Sequence, residues 1–258
     1  MNLSNTIAAI GLVGLTLPTH AADKGTVLVI GAGRTGAPLA KILLDEGYKV
    51  RVLMRNPNKP SELPAAAERV QADVTKPETL PAALKGADYL ISTVGATGGE
   101  TPEEVAFKGV ANLAQAAKAA KVKQFVLMSS TFAGATDPIV RISSTDTFPQ
   151  GKYGMVLMWE GKGEEAVRAS GVPYTIVRPG HLSICEPGKV GLKVANPQGL
   201  VGENSCRADI ALVMAATLNN KDALGKTIGV VTDSKAQPGT WKADFAKVKK
   251  DHGKPVGP

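Results

Sequence analysis

The residues best suited to do chemistry form a glycine-rich turn near the N-terminus. An apolar run over residues 26–30 leads into Gly31, and glycines recur at Gly33 and Gly36 before a helical pattern over 37–46. A strand, a Gly-x-Gly-x-x-Gly turn and a helix in this order hold a dinucleotide pyrophosphate, because backbone N–H groups and the helix dipole attract the anion. Gly31 permits the tight turn, Gly33 lets the phosphates approach the backbone, and Gly36 lets the helix pack on the strand. The motif therefore predicts a dinucleotide cofactor.

Two arginines indicate which dinucleotide binds. The second strand, predicted over 49–53, ends where an NAD site normally carries an Asp or Glu that binds the ribose 2′-hydroxyl. This chain has Arg55 there, and Arg34 lies inside the glycine turn beside Thr35. Two guanidinium groups favour a 2′-phosphate through bidentate, charge-assisted hydrogen bonds. We expect NADP(H), with Arg34, Thr35 and Arg55 among its ligands; the alternative for Arg55 is a solvated residue at the strand end.

Hydrophobic periodicity predicts the elements that position this turn. Strand patterns at 69–74, 88–95, 124–130 and 172–180 alternate with helical patterns. Such alternation implies right-handed crossovers between parallel strands. We therefore expect an α/β fold of the Rossmann type, with a doubly wound parallel sheet.

Several short blocks of sequence resemble one known family. They are the glycine turn, Asp73-Val74, 92–95, 128–130 and 174–180. Their residues and their order resemble the atypical, extended-type short-chain dehydrogenase/reductases, and within these the NAD(P)H-binding, NmrA-like branch. The resemblance covers about residues 25–232, which we interpret as an NAD(P)-binding Rossmann domain.

The resemblance implies roles for particular residues. In that family the Asp of the third-strand turn lies by the adenine, the turn after strand four passes along the cofactor, and Ser or Thr after strand five faces the nicotinamide. The residues at the matching positions of this chain are Asp73 and Val74, then Thr93, Val94 and Gly95, then Ser129 and Ser130.

The catalytic pair of the family is missing. Active members commonly use Tyr-x-x-x-Lys, in which Tyr transfers a proton while Lys lowers its pKa and holds the nicotinamide ribose. No tyrosine here has a lysine four residues later, and the block at 174–180 sets Glu160 at the usual lysine position. Lys162, two residues further on, points to nearly the opposite face of a helix. It remains a candidate cofactor ligand as the nearest lysine.

Two other side chains are candidate proton donors. Tyr153 follows a loop over 131–151, and loops of this length inside a domain are usually functional. His181 follows the turn at 178–180, where the substrate side of such folds opens. The alternatives are a packing role for Tyr153 and a satisfied structural histidine for His181.

The two cysteines leave two interpretations open. Cys185 and Cys206 are compatible with a disulfide in an oxidising compartment and with two buried free thiols. Cys185 as a nucleophile lacks a base at a recognisable spacing. No Cys/His cluster has metal-ligand spacing, so we expect no metal.

The two ends of the chain require separate interpretation. The apolar run at 7–17, followed by Pro18 and small residues, is typical of a secretory signal over residues 1–21, and it is short for a bilayer-spanning helix. This favours export to the periplasm; the alternatives are a disordered leader and a cytoplasmic protein. Beyond about residue 181 we expect a small C-terminal substrate lobe, and over 233–258 a basic tail or helix.

Composition excludes some functions and leaves two open. The 258 residues carry a net charge of +7, but no aromatic-interleaved basic stripe accompanies it, so we expect no nucleic-acid partner. The sequence favours an NADP(H)-dependent oxidoreductase that passes hydride to a small carbonyl, quinone or isoprenoid-like substrate. The alternative is a non-catalytic NADP(H)-binding redox sensor or assembly factor, as the missing Tyr–Lys pair suggests.

Overall fold

The computed structural model describes residues 24–95, 99–134, 152–198, 200 and 204–251. The predicted signal segment, the loop from 135 to 151 and the side chain of Tyr153 lie outside the described residues. Within these ranges no helix is both long enough and apolar enough to cross a bilayer.

An eight-stranded sheet forms the centre of the fold. The described strands are, in chain order, β1 (Thr26–Ile30), β2 (Lys49–Met54), β3 (Glu68–Gln71), β4 (Tyr89–Ser92), β5 (Gln124–Met128), β6 (Tyr174–Pro179), β7 (Leu182–Ser183), β8 (Leu192–Ala195), β9 (Ser205–Cys206) and β10 (Lys226–Thr232). The large sheet has the order β3-β2-β1-β4-β5-β6-β10-β8, while β7 and β9 pair separately. Only β8 runs antiparallel to its neighbour in the large sheet.

Strand β1 shows why the sheet is covered on both faces. Val27 and Val29 belong to the hydrophobic cluster on one face, whereas Leu28 and Ile30 belong to the cluster on the other. Successive side chains of a strand alternate between faces, so an unbroken apolar run requires cover on both sides. The continuous run that the sequence displays is therefore a buried parallel strand, as predicted.

Helices supply that cover. They are α1 (Gly36–Asp45), α2 (Leu80–Leu84), α3 (Val110–Ala119), α4 (Lys152–Ser170) and α5 (Arg207–Thr217), with a π-helical segment at Glu103–Gly109 before α3 and 3₁₀ segments at Pro77–Thr79 and Thr240–Lys247. Helices α1 and α5 pack on one face of the sheet, and α2, α3 and α4 pack on the other. The predicted doubly wound Rossmann-type fold is confirmed.

The strand order creates a crevice at one edge. Strand β1 has β2 on one side and β4 on the other, so the connections leave it in opposite directions. Ligands of open α/β sheets bind outside the carboxyl ends of the strands at such a switch point. The glycine turn follows β1 directly at this point.

Strand β3 is shorter than the sequence pattern predicts. The pattern runs to residue 74, but the strand ends at Gln71 because the Asp73 carboxylate accepts the backbone N–H of Thr75 at 2.9 Å and its hydroxyl at 2.8 Å. These two bonds close a turn in place of ladder hydrogen bonds.

The C-terminal part completes the large sheet. Beyond residue 181, β10 pairs with β6 and β8 pairs with β10, while β7 and β9 form their own small sheet. Within the basic segment, Thr240–Lys247 is a 3₁₀ helix that buries Trp241 and Phe245. The Lys226 ammonium, itself buried, donates to the carbonyl of Phe245 at 2.8 Å and ties this helix to β10.

Candidate active site

A cleft of about 580 Å³ opens at the carboxyl ends of β1, β2 and β4. It lies at the topological switch point, where a dinucleotide is expected in this architecture. Nine of the residues that the sequence predicts as cofactor ligands line this cleft: Gly31, Gly33, Arg34, Arg55, Asp73, Val74, Thr93, Val94 and Gly95.

The glycine turn has the geometry that the motif predicts. Gly31 has φ +102°, a left-handed conformation that favours glycine. A Cβ on Gly36 would collide with the carbonyl oxygen of Gly31, so only glycine lets α1 begin this close to β1. A Cβ on Gly33 would meet nothing within 4 Å, because Gly33 faces the open cleft. The turn therefore offers a bare backbone at a helix N-terminus, which fits a pyrophosphate.

Thr35 lies at the start of α1, next to the glycine turn, and contacts a residue of α5. It is the N-cap residue of α1 and is buried, and its hydroxyl accepts a hydrogen bond from Nη1 of Arg207 at 3.4 Å. On the opposite wall, the Thr93 hydroxyl donates to the carbonyl of Ile30 at 3.0 Å. The first contact joins the start of α1 to α5, and the second joins the end of β1 to the residue after β4.

The predicted adenosine end of the cleft carries an acid that the sequence pattern did not reveal. Arg55 forms an ion pair with Glu100, and the second carboxylate oxygen of Glu100 is buried without a partner among the described residues. Glu100 lies in the connection after β4, and no motif marks it. The charged residues lining the cleft are Arg34, Arg55 and Lys59 against Glu62, Asp73 and Glu100. The positive charge of the two arginines is thus partly compensated before any phosphate binds.

Asp73 remains ionised at this end. Burial opposes ionisation, but hydrogen bonds from the backbone and hydroxyl of Thr75, together with the charge of Arg55, lower the pKa of Asp73 below its ordinary value. The carbonyl of Val74 accepts a hydrogen bond from Nδ2 of Asn112 at 2.9 Å, which fixes the turn against α3. Asp73 is therefore a rigid acceptor on the cleft wall.

A third arginine approaches the glycine turn from α5. Arg207 is the first residue of that helix, and its Nε atom is buried without a hydrogen-bond partner in the described part of the chain. Burial and the nearby positive charge of Arg34 lower the pKa of Arg207. Two guanidinium groups this close, one with an unused buried donor, favour an anion between them. In the sequence Arg207 lies about 170 residues beyond Arg34. Only the folding of the chain brings it close to the glycine turn.

The predicted nicotinamide end contains two serines and a carboxyl group. Ser92 pairs with Leu127 in the β4–β5 ladder, so Ser129 and Ser130 continue β5 beside the turn that follows β4. The Ser129 hydroxyl is buried without a partner among the described residues, and the Ser130 hydroxyl hydrogen-bonds to Glu160. Glu160 thus stands beside the two predicted serines.

Glu160 is partly protonated at neutral pH. Burial and the charge of Glu164 raise its pKa to about 7, although Ser130 and Arg178 oppose the shift. Its Oε2 atom is buried and has no partner within the described ranges. A carboxyl with a pKa near neutrality can release a proton and recover it, which is the property of a general acid.

Close packing and a buried ion pair fix the position of Glu160 on α4. Gly161 packs against the backbone of Gly134, and a Cβ there would lie 2.5 Å from the Cα of Gly134. One turn further along α4, the Glu164 carboxylate accepts Nε and Nη2 of Arg178, both at 2.8 Å, and the two side chains are 0% and 1% exposed. Arg178, from the block that resembles the family, is therefore committed to Glu164.

The remaining sequence candidates do not line the cleft. Lys162 is exposed, and its ammonium lies 5.9 Å from the ring centroid of Trp159. His181 is also exposed, and its backbone carbonyl accepts the N–H of Ser205 at 2.6 Å. Roles for these two residues and for Tyr153 remain predictions.

The similarity of this chain to known proteins agrees with the dinucleotide-binding geometry of the cleft. A model of a family described as NAD(P)H-binding matches residues 31–221. The chain belongs to this NAD(P)H-binding family. The predicted resemblance to the atypical short-chain dehydrogenase/reductases of the NmrA-like branch is confirmed, and with it a nicotinamide cofactor and an oxidoreductase-like family.

Of two relatives of this NAD(P)H-binding protein, one is named as a reductase and the other is not. The chloroplastic protein TIC 62 of Pisum sativum is 29% identical over 86% of this chain, which spans only 46% of that relative. Sanguinarine reductase of Eschscholzia californica is 29% identical, with coverage of 79% of this chain and 87% of the relative. Among solved structures, the oxidoreductase ylbE of Lactococcus lactis has a TM-score of 0.67 at 21% identity, covering 86% of this chain and 95% of that one. The last similarity shows the shared fold.

The cysteines of this NAD(P)H-binding protein form a disulfide. Cys185 and Cys206 are bonded, with their Cα atoms 5.6 Å apart. The bond joins the loop after β7 to the start of α5, one residue before Arg207. Of the two interpretations that the sequence leaves open, the structure selects the disulfide.

Proposed function

We propose that this protein is an NADP(H)-dependent oxidoreductase that passes hydride to a small carbonyl, quinone or isoprenoid-like substrate. When bound, the nicotinamide supplies the hydride. The observation that carries the proposal is the proton-bearing cluster of Ser129, Ser130 and Glu160, at the end of β5 and beside the strand β4 whose following turn lines the cleft. The family relationship supports the cofactor, and sanguinarine reductase is a relative named as a reductase.

The cleft residues hold the cofactor in this proposal. The backbone of Gly33 and the guanidinium group of Arg207 bind the pyrophosphate, while Arg34 and Arg55 bind the 2′-phosphate. Arg55 exchanges its ion pair with Glu100 for the 2′-phosphate, and Asp73 lies by the adenine. These contacts orient the nicotinamide end toward Ser129 and Ser130.

Glu160 substitutes for the missing Tyr–Lys pair. Its protonated carboxyl, hydrogen-bonded to Ser130, provides the proton that a carbonyl oxygen or quinone oxygen takes up when its substrate is reduced. Ser129, whose buried hydroxyl has no partner within the described ranges, orients that oxygen. Desolvation keeps a part of the acid protonated near neutral pH, whereas a tyrosine keeps its proton there through its ordinary pKa.

Turnover and binding measured together test this function. The full-length protein is assayed for NADPH oxidation with a panel of quinones and aldehydes, and NADPH affinity is measured by titration. We expect turnover that falls roughly 10²-fold in Glu160→Gln, with NADPH affinity unchanged. Glu165→Gln is the matched control, because Glu165 is exposed on the same helix. Normal turnover in Glu160→Gln removes Glu160 as the proton donor.

A redox sensor or assembly factor is the second candidate. It is favoured by the absent Tyr-x-x-x-Lys pair and by the similarity to TIC 62, a relative not named for a reductase activity. The same experiment separates the two functions. NADPH binding at micromolar concentration without turnover of any acceptor would support the sensor.

A further inference from the structure

The two sulfur atoms of the disulfide have different surroundings. Cys185 is exposed in the loop after β7, whereas Cys206 is only 2% exposed. Cys206 is also the N-cap residue of α5, a helix of 11 residues, so its sulfur lies at the positive end of a helix dipole. The helix dipole favours a thiolate released at Cys206, whereas burial of the sulfur favours its protonation.

A buried carboxyl group lies beside the disulfide. Asp209, in the first turn of α5, is 1% exposed, and its Oδ1 accepts the N–H of Gly188 at 2.6 Å. Its Oδ2 is buried without a partner among the residues that the structure describes. A carboxylate oxygen of Asp209 and the two sulfur atoms of Cys185 and Cys206 all lie within 4.8 Å of one another.

We propose that Cys185–Cys206 is a redox-active pair that exchanges with small or protein dithiols, with Cys185 as the attacked sulfur and Asp209 as the proton donor to Cys206. The exposed sulfur of Cys185 admits the incoming thiolate, and Cys206 is the better leaving group because it lies at a helix N-terminus and within reach of the Asp209 carboxyl. Neither the cofactor cleft nor Glu160 takes part in this activity.

The exchange balances without a further reactant. A thiolate of the dithiol bonds to Sγ of Cys185, the disulfide breaks, and its electron pair leaves with Sγ of Cys206. Asp209 gives that thiolate a proton and regains one from solvent. The second thiol of the dithiol then attacks the mixed disulfide, so the dithiol becomes a disulfide and Cys185 leaves as a thiol. Two electrons and two hydrogens pass from the dithiol to the protein.

Asp209 is suited to this step by its environment. Burial raises its pKa above the ordinary value for aspartate, against the hydrogen bond from Gly188, so the carboxyl keeps a proton more readily than an exposed one. An inert structural disulfide needs no such group, and a buried carboxyl oxygen without a partner is costly. Proton transfer to Cys206 gives the unpartnered Oδ2 atom of Asp209 a function.

The first test traps the site of attack. The oxidised full-length protein is treated under native conditions with reduced glutathione, quenched with acid and alkylated, and the modified cysteine is mapped by mass spectrometry. We expect glutathione on Cys185 and an alkylated thiol at Cys206. Glutathione on Cys206, or thiols that appear only after the protein is unfolded in denaturant, would overturn the proposal.

The second test measures the role of Asp209. Reduction by dithiothreitol is followed by counting free thiols with time in wild type, Asp209→Asn and the control Asp45→Asn, which changes an exposed aspartate. We expect Asp209→Asn to slow reduction about tenfold or more, whereas the control is unaffected. Asn retains an oxygen acceptor for the N–H of Gly188, which preserves the loop. Equal rates in folded wild type and folded Asp209→Asn contradict the proton-donor role; if the variant does not fold, the trapping result alone decides.

Discussion

Arg55 is ion-paired with Glu100 across the adenosine end of the cleft. Both residues line the cleft in which the sequence predicts that a ribose 2′-phosphate binds. In the proposed NADP(H) complex, Glu100 competes with the phosphate for the guanidinium group, and it reduces the advantage of NADPH over NADH that two arginines alone would give.

Removing the competing acid is the first prediction. Glu100→Gln keeps the size of the side chain but removes its charge, so Arg55 is available to the 2′-phosphate at lower cost. We expect the ratio of the NADH to NADPH dissociation constants to rise by about tenfold, roughly the value of one charge-assisted contact. Glu103→Gln, at a half-exposed acid of the following segment that pairs with Lys108, is the control. An unchanged ratio would show that Glu100 does not compete with the phosphate.

The second prediction concerns Arg207, which we expect to affect the binding of NADPH and NADH equally. Because it approaches the glycine turn and not the ribose, it is expected to bind a phosphate that NADPH and NADH share. Arg207→Gln is expected to weaken both cofactors alike, by about tenfold, and to leave their ratio unchanged. Lys221→Gln, which removes an exposed charge elsewhere, provides the control titration. A selective loss of NADPH alone would place Arg207 at the 2′-phosphate instead.

The raised pKa of Glu160 predicts a pH dependence of turnover. The active form of Glu160 is protonated, so kcat should fall as the pH rises through about 7. Glu160→Gln should remove this inflection from the pH profile. A wild-type profile that is flat between pH 6 and 8 would exclude Glu160 as the acid.

The same group predicts a pH dependence of stability. Folded Glu160 keeps its proton up to about pH 7, whereas the unfolded chain loses it near the ordinary value of 4.5, so its contribution to stability is present below pH 4.5 and is lost as the pH rises to about 7. Glutamine does not titrate. The unfolding free energy of Glu160→Gln relative to wild type is therefore expected to rise by about 3 kcal/mol from pH 4 to pH 8. Chemical denaturation of both proteins at these two pH values measures the difference.

The buried ion pair of Glu164 predicts a large loss of stability. Glu164→Gln leaves the guanidinium group of Arg178 buried beside a neutral amide, and we expect a loss of about 3–5 kcal/mol of unfolding free energy. Asp45→Asn breaks the exposed ion pair with Lys41 and is expected to cost about 1 kcal/mol or less. Similar losses in the two variants would mean that burial does not determine the value of the pair.

The sequence predicted the fold because its signals are local. The run over 26–30, the glycine spacing of Gly31, Gly33 and Gly36, and the alternation of strands with helices each depend on neighbouring residues. Their outcome in the structure is a parallel sheet with the glycine turn at its switch point. Even the shortened β3 has a local cause, the turn closed by Asp73.

The parts of the site that the sequence did not reveal come from distant segments. Glu100 and Arg207 belong to a connection and a helix with no motif; the packing of the fold brings Glu100 to the cleft and Arg207 to Thr35 in the glycine turn. Glu160 was visible in the sequence only as a replacement for a lysine. Its pKa depends on burial beside Ser130 and Glu164, which spacing alone does not determine.

The most direct test of the account is a pair of titrations on the full-length protein, with NADPH and with NADH. We predict that NADPH binds at least about tenfold more tightly, because Arg34 and Arg55 line the cleft where we propose that the 2′-phosphate binds, and that Arg55→Asp removes or inverts this preference. Equal dissociation constants for the two cofactors in the wild-type protein would contradict NADP(H) as the cofactor. Failure of either cofactor to bind would contradict the assignment of the cleft.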